Sequence, residues 1–244
     1  MDFRISVADR HVLIHSVFSN AYRRFEPYLT QEIGTPDIEL RINESMLRAA
    51  AKRISEPHIQ RLDLMNVEPL LVQQLLSEEL LFFDTLLMHG AVIAVDHVAY
   101  MFTATSGTGK TTHIQKWMEN IDGAYVVNGD KPFVIVGKSG EAPLACGSPW
   151  AGKEHMQTNV VVPLKAIVLL ERADENHMER ISSAQAFPFV YQQVYQPDDE
   201  EKLRKTLRLV SKLVSSVPVW RFRCNNFRDD CFEVAYNALV KGQA

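Results

Sequence analysis

The chain has 244 residues, 46% of them apolar, which is enough for a sizeable core and sets disorder aside. A formal charge of -4 and a pI near 6.1 exclude the basic surplus expected of a nucleic-acid binder. Asp84 and Lys165 interrupt the longest apolar stretches before they reach the roughly 18 residues that span a bilayer, and the first residues lack the pattern of a secretory signal, so the chain is expected to be soluble and cytoplasmic.

In chain order, the first forty residues read as short strands at 3–8, 12–17 and 38–42, split by polar turns, as at the edge of a sheet. From Pro69 to about residue 88, Leu70, Leu71, Leu75, Leu76, Leu80 and Leu81 recur at helical spacing and Gly90 follows as a stop, which predicts one long buried helix. Apolar stretches at 91–95 and 98–103 meet at Asp96-His97, a length that suits a tight hairpin, and a glycine-rich segment follows at once. A helix is expected at 111–118, and a strand at 124–127 ending at Asn128-Gly129-Asp130. A pair at 133–136 and 142–146 turns at Ser139-Gly140.

Further on, 166–170 reads as a buried strand and 183–195 as a helical stretch containing Pro188. Residues 200–214 read as an amphipathic helix burying Leu203, Leu207, Val210 and Val214, 217–223 as a strand and 227–239 as a closing helix. No repeat or linker interrupts the order. The expectation is therefore a single α/β domain over 1–244, with N-terminal strands and turns through residue 65 and the core of the domain from residue 66. Cys146, Cys224 and Cys231 show no C-x-x-C spacing and read as reduced, buried thiols, and the eight histidines form no zinc pattern.

The segment Ala104-Thr105-Ser106-Gly107-Thr108-Gly109-Lys110-Thr111-Thr112 matches G-x-x-x-x-G-K-[ST] with alanine at the first glycine. Small residues let successive backbone N–H groups converge on an anion, and the helix that follows adds its positive end. Ser106, Gly107, Thr108, Gly109, Lys110, Thr111 and Thr112 are thus expected to hold the phosphates of ATP, with GTP left open. Lys110 would reach the β- and γ-phosphates, and the Thr111 hydroxyl would ligate Mg²⁺. Asp130, at the end of a strand expected beside this loop, stands where a Mg²⁺-binding or base carboxylate belongs in phosphoryl transfer, or else it is a turn aspartate.

Ser106 to Thr112 resembles the nucleotide loop of phosphoenolpyruvate carboxykinase, and His89-Gly90-Ala91 with its hairpin is similar to the catalytic domain of HPr serine kinase/phosphorylase. The resemblance implies their shared P-loop fold, a mixed sheet with a β-hairpin before the P-loop, over about residues 85 to 240. It also implies a place for His89 near the phosphates, where it would assist the base or contact the γ-phosphate; otherwise it is a helix-end dipole partner. In those families two adjacent aspartates stand where this chain has Gly129-Asp130, so one carboxylate is missing. They also assemble as oligomers, which makes a homo-oligomer an expectation by resemblance.

Three weaker candidates remain. Glu171 closes an apolar strand and is an alternative carboxylate to Asp130, or is simply paired with Arg172 or a lysine. In Gly147-Ser148-Pro149-Trp150-Ala151-Gly152-Lys153-Glu154, Lys153 would neutralise a transferring phosphoryl group, while Trp150 reads better as a buried brace than as a substrate contact. Lys202, Lys205, Arg208 and Lys212 share one helix face, which usually meets water.

Two functions fit: a kinase moving the γ-phosphate of ATP to a hydroxyl on a protein serine, a peptide or a small metabolite, with Lys110, Asp130 and His89 as its catalytic residues, or a nucleotide-binding regulatory module. The reverse, phosphorolytic reaction stays open, and neither a nucleic acid nor a membrane is expected as partner.

Overall fold

The computed structural model describes residues 1–54, 64–105, 107–138 and 140–242. Ser106 of the expected phosphate loop and Ser139 of the expected turn lie outside them.

The N-terminal strands do not edge a larger sheet, as their polar turns suggested; they form a separate one. β1 (Asp2–Val7) and β2 (Arg10–His15) pair antiparallel, and after α1 (Asn20–Arg24) β3 (Ile38–Arg41) lies parallel to β2. Alternation gives this sheet one apolar face, which includes Phe3, Ile5, Val12, Ile14 and Leu40. α2 (Glu44–Ile54) and α3 (Leu64–Leu80) bury it through Leu47, Val67, Leu71, Val72 and Leu76.

The expected long helix is shorter. α3 ends at Leu80, a 3₁₀ turn follows over Leu81–Phe83, and Asp84 turns left-handed at φ 54°. Thr85–Leu87 is then a strand, β4, with all three residues buried. A fully buried run satisfies helical and extended spacing equally well, so the leucines could not place the boundary.

The second sheet has nine strands: β4, β5 (Ala91–Val95), β6 (Val98–Thr103), β7 (Tyr125–Asn128), β8 (Phe133–Ile135), β9 (Leu144–Cys146), β10 (Val161–Arg172), β11 (His177–Ile181) and β12 (Val219–Cys224). Its order is β4-β8-β9-β10-β6-β5-β7, with β12 also on β10 and β11 beyond it. β10 runs parallel to β6 and β12, and the other ladders are antiparallel, so the sheet is mixed. Asp96 and His97, at φ 50° and 60°, give β5–β6 the paired positive φ of a type I′ turn, whose twist matches that of the strands.

β10 shows how the sheet is covered. Its first half alternates buried and exposed residues where it meets β9, and its second half, from Ala166 to Leu170, is buried on both faces. On one side α5 (Ser183–Gln192) and α6 (Glu200–Ser216) pack on Ile167 and Leu169; on the other, α4 (Lys110–Asn120) and α7 (Cys231–Leu239) pack on Ala166, Val168 and Leu170. α6 buries Thr206, Leu209, Val210, Leu213 and Val214, so the stripe is offset from the expected one and Leu207 stays 36% exposed. Two further boundaries move. α5 stops at Gln192, and α7 begins at Cys231 because Asn225 Oδ1 accepts the Phe227 N–H (3.0 Å) in a tight turn. The three cysteines are free and buried. No helix among the described residues is long and apolar enough to cross a membrane.

Candidate functional site

The loop from Ala104 to Gly109 leaves the end of β6, central in the sheet, and enters α4. Gly109 is the residue before α4, at φ 110°, a conformation that side chains rarely adopt. A Cβ there would also stand 2.2 Å from Asn226 Nδ2, which donates to the Gly109 carbonyl (3.2 Å). The backbone conformation therefore favours glycine strongly, and a larger residue would also push the Asn226 amide aside. The buried Lys110 folds back over the loop, its Nζ donating to the Ala104 carbonyl (3.0 Å). Burial lowers its pKa, and Lys131 adds to the fall against the attraction of Asp130.

Three chain segments are tied to this strand end by a series of hydrogen bonds, one from a side chain and two between backbone groups. The Thr103 hydroxyl donates to the His89 carbonyl (2.6 Å), the His89 N–H to the Gln193 carbonyl (2.7 Å) and the Gly90 N–H to the Asp130 carbonyl (2.9 Å). His89 and Asp130, distant in sequence, are thereby fixed side by side, with His89 Nε2 3.5 Å from Asp130 Oδ1. His89 Nδ1 lies 3.2 Å from Gln193 Oε1. With that amide oxygen as acceptor, Nδ1 carries the proton and Nε2 keeps a lone pair on the Asp130 side.

Asn128, fully buried at the end of β7, orients the turn that carries Asp130. Its Oδ1 accepts the N–H groups of Asp130 (2.9 Å) and Lys131 (2.7 Å), while its Nδ2 donates to the Ser148 carbonyl (3.0 Å). The same side chain thus fixes the loop at 147–154 relative to Asp130. Trp150 in that loop is buried between Phe25 and Phe133 and donates from Nε1 to the Pro69 carbonyl (3.1 Å), so it braces the loop.

The outcome is a cavity of about 520 Å³ lined by His89, Lys110, Thr111, Asp130 and Lys153, among others. Gly107, Gly109 and Thr112 border it, and Thr108 faces two neighbouring grooves instead. Glu171 is not brought to it. It lines the groove on the α5 side of the loop and pairs with Arg221 Nε (3.1 Å), not with Arg172. Arg172 donates to the Gly107 carbonyl, and so braces the loop from β10. The basic face of α6 is largely spent internally: Lys202 binds Glu78 (2.7 Å), Lys205 pairs with Asp84 (3.3 Å) and Lys212 donates to the Gly137 carbonyl.

Sequence reasoning missed Asn128, Arg172, Gln193 and Asn226 as parts of this site. Each has a partner at least 20 positions away, so no local motif marks it.

No protein-family model matches the chain, and no curated protein does. Among solved structures it is similar to the HPr(Ser) kinase/phosphatase from Coxiella burnetii, at 12% sequence identity and a TM-score of 0.38, over 64% of this chain and 92% of that one.

Proposed function

We propose that this chain binds a nucleoside triphosphate, ATP first, by its phosphates on the loop at 104–112 and transfers the γ-phosphoryl group to a hydroxyl of an acceptor. The observation that carries this reading is the convergence of Lys110, Thr111, Asp130 and His89 on one cavity at the start of α4. Phosphoryl transfer asks mainly for positioning and charge compensation, which these groups supply.

The Thr111 hydroxyl and the Asp130 carboxylate fit Mg²⁺, a hard cation that takes oxygen ligands from one or two side chains together with phosphates and water. Bound there, the ion would draw charge from the phosphate oxygens. Lys110 exchanges its loop carbonyls for phosphate oxygens. As the acceptor oxygen bonds to the γ-phosphorus, the bond from that phosphorus to the bridging oxygen breaks, and the acceptor proton passes to Asp130 or to His89 Nε2. Lys153 borders the same cavity and compensates charge on the moving group.

One observation favours a second reading, a nucleotide-binding module without turnover. Gly129 supplies no second carboxylate, and a Cβ there would sit 3.3 Å from the Ala151 carbonyl oxygen, against a loop that Trp150 holds in place.

Transfer from γ-labelled ATP with Mg²⁺, in extract of the source cell, separates the two. Lys110→Ala and Asp130→Asn are expected to lower labelling of a discrete acceptor by roughly 100-fold or more. ATP binding that depends on Lys110, with no label transferred by the wild type, would establish the module instead.

A further inference from the structure

Three grooves meet at Gly107. One is the cavity of Lys110, Thr111 and Asp130, just described. The second, about 600 Å³, lies between the loop and Phe189, Gln192 and Gln193 and reaches none of residues 109–112. The third, about 470 Å³, runs from Thr108, Gly109 and Thr112 to the turn after β12, where Asn225, Asn226 and Phe227 line it opposite Arg172.

The polarity of a phosphate loop decides what each end receives. The lysine and the hydroxyl that follows it attend the β- and γ-phosphates, while the backbone around the helix start cradles the α- and β-phosphates. Lys110, Thr111 and Asp130 therefore define the γ end, and the nucleoside must leave on the far side of the helix start. Of the two grooves outside that cavity, the third includes Gly109 and Thr112 and the second includes neither, so the third is the one continuous with the helix start.

Its lining suits a planar heteroaromatic ring. Phe227 lines the groove and is 98% exposed, so its ring is free to meet a ligand. A single exposed apolar residue is ordinary, but this one sits on a rigid platform. Its N–H donates to Asn225 Oδ1 (3.0 Å), the Asn225 N–H to Asn176 Oδ1 (2.7 Å), and Asn176 Nδ2 to Asp230 Oδ1 (2.6 Å). Asn225, which also lines the groove, keeps an Nδ2 donor with no hydrogen-bond partner among the described residues. Asn226 spans from the Gly109 carbonyl to the Cys231 thiol (3.3 Å) and so holds this turn against the phosphate loop.

We propose that this groove is the nucleobase subsite: the base of the triphosphate stacks on Phe227 and takes a hydrogen bond from Asn225, with Arg172 beside the sugar and α-phosphate. The assignment rests on the phosphate-loop reading above and adds where the nucleoside goes. Aromatic stacking is sequence-tolerant because every base presents a π-face, so the subsite need not choose sharply between adenine and guanine.

Calorimetric titration with two probes, Mg·ATP and inorganic Mg·tripolyphosphate, tests it. Phe227→Ala is expected to weaken ATP roughly ten-fold and leave tripolyphosphate unchanged, with Phe227→Tyr restoring ATP. Lys110→Ala is expected to weaken both ligands. Unchanged ATP affinity in Phe227→Ala, or equal losses for both probes, overturns the subsite while a Lys110 effect keeps the phosphate reading. If the wild type binds neither probe, or Lys110→Ala weakens neither, both fall. Since Phe227 is exposed, its substitution leaves the core intact.

Discussion

Burial holds the His89 imidazole below its ordinary pKa, and the positive charges of Lys110 and Lys131 press it the same way, against Asp130 and the Gln193 hydrogen bond. The ring is therefore neutral at pH 7 and able to accept a proton. In a histidine-resolved NMR titration, His89 is expected to titrate below about 6.5, and lower still in Asp130→Asn, which removes the group that raises it. Stability follows the same sign. A depressed pKa contributes stability that is intact above the unfolded value of about 6.5 and is lost as pH falls through the folded one. Urea unfolding at pH 7.5 and 5.5 should thus show a larger loss in the wild type than in His89→Gln. Local pattern offered His89 as a histidine at the end of a helix, and the family resemblance alone implied a place near the phosphates; its neighbours come from the segments carrying Lys110, Asp130 and Gln193.

At the scale of elements, α3 is attached to the small sheet by a carboxylate as well as by apolar packing. Glu68 is fully buried, and its two oxygens accept the N–H groups of Val17 (2.6 Å) and Phe18 (3.0 Å), just past the end of β2. Glu68→Ala leaves both donors without their partner and is expected to cost about 2–4 kcal/mol in urea unfolding; Glu68→Gln should cost less, because one acceptor oxygen remains. The helix expected from the sequence starts one residue later, at Pro69, and gives this glutamate no role, since its partners are about fifty positions away. The contrast with 91–103 is instructive. There a continuous apolar run broken by two polar residues leaves few alternatives to a hairpin, and β5 and β6 follow it closely. The pattern at 85–87 admitted both helix and strand, and only pairing with β8 decided it. β11 was not legible for a related reason. Among the described residues it pairs only with β12, and His177, Glu179 and Arg180 break the apolar signal.

For the whole molecule, Trp150 links the small sheet to the candidate site, standing edge-on to Phe25 at 5.5 Å while its loop borders the cavity through Ala151, Gly152 and Lys153. Trp150→Ala is expected to lower stability by about 3–5 kcal/mol and to weaken ATP binding as well, with Trp150→Phe losing less of both; thermal melts and ATP titration measure the two effects. The mixed α/β class and the loop itself were legible from local pattern. The separate N-terminal sheet, the bracing by Arg172 and Asn226, and the second half of β10 as a shared partner of β6 and β12 were not, because each depends on pairing between distant segments. That dependence on β10 has a consequence during synthesis. β6 leaves the ribosome roughly sixty residues before the stretch of β10 that will pair with it. At translation speeds of about 5–20 residues per second, the nascent β5–β6 hairpin spends roughly 3–12 s with the largely apolar β6 edge unpaired, a window in which a holding chaperone or a second nascent chain competes with the correct strand.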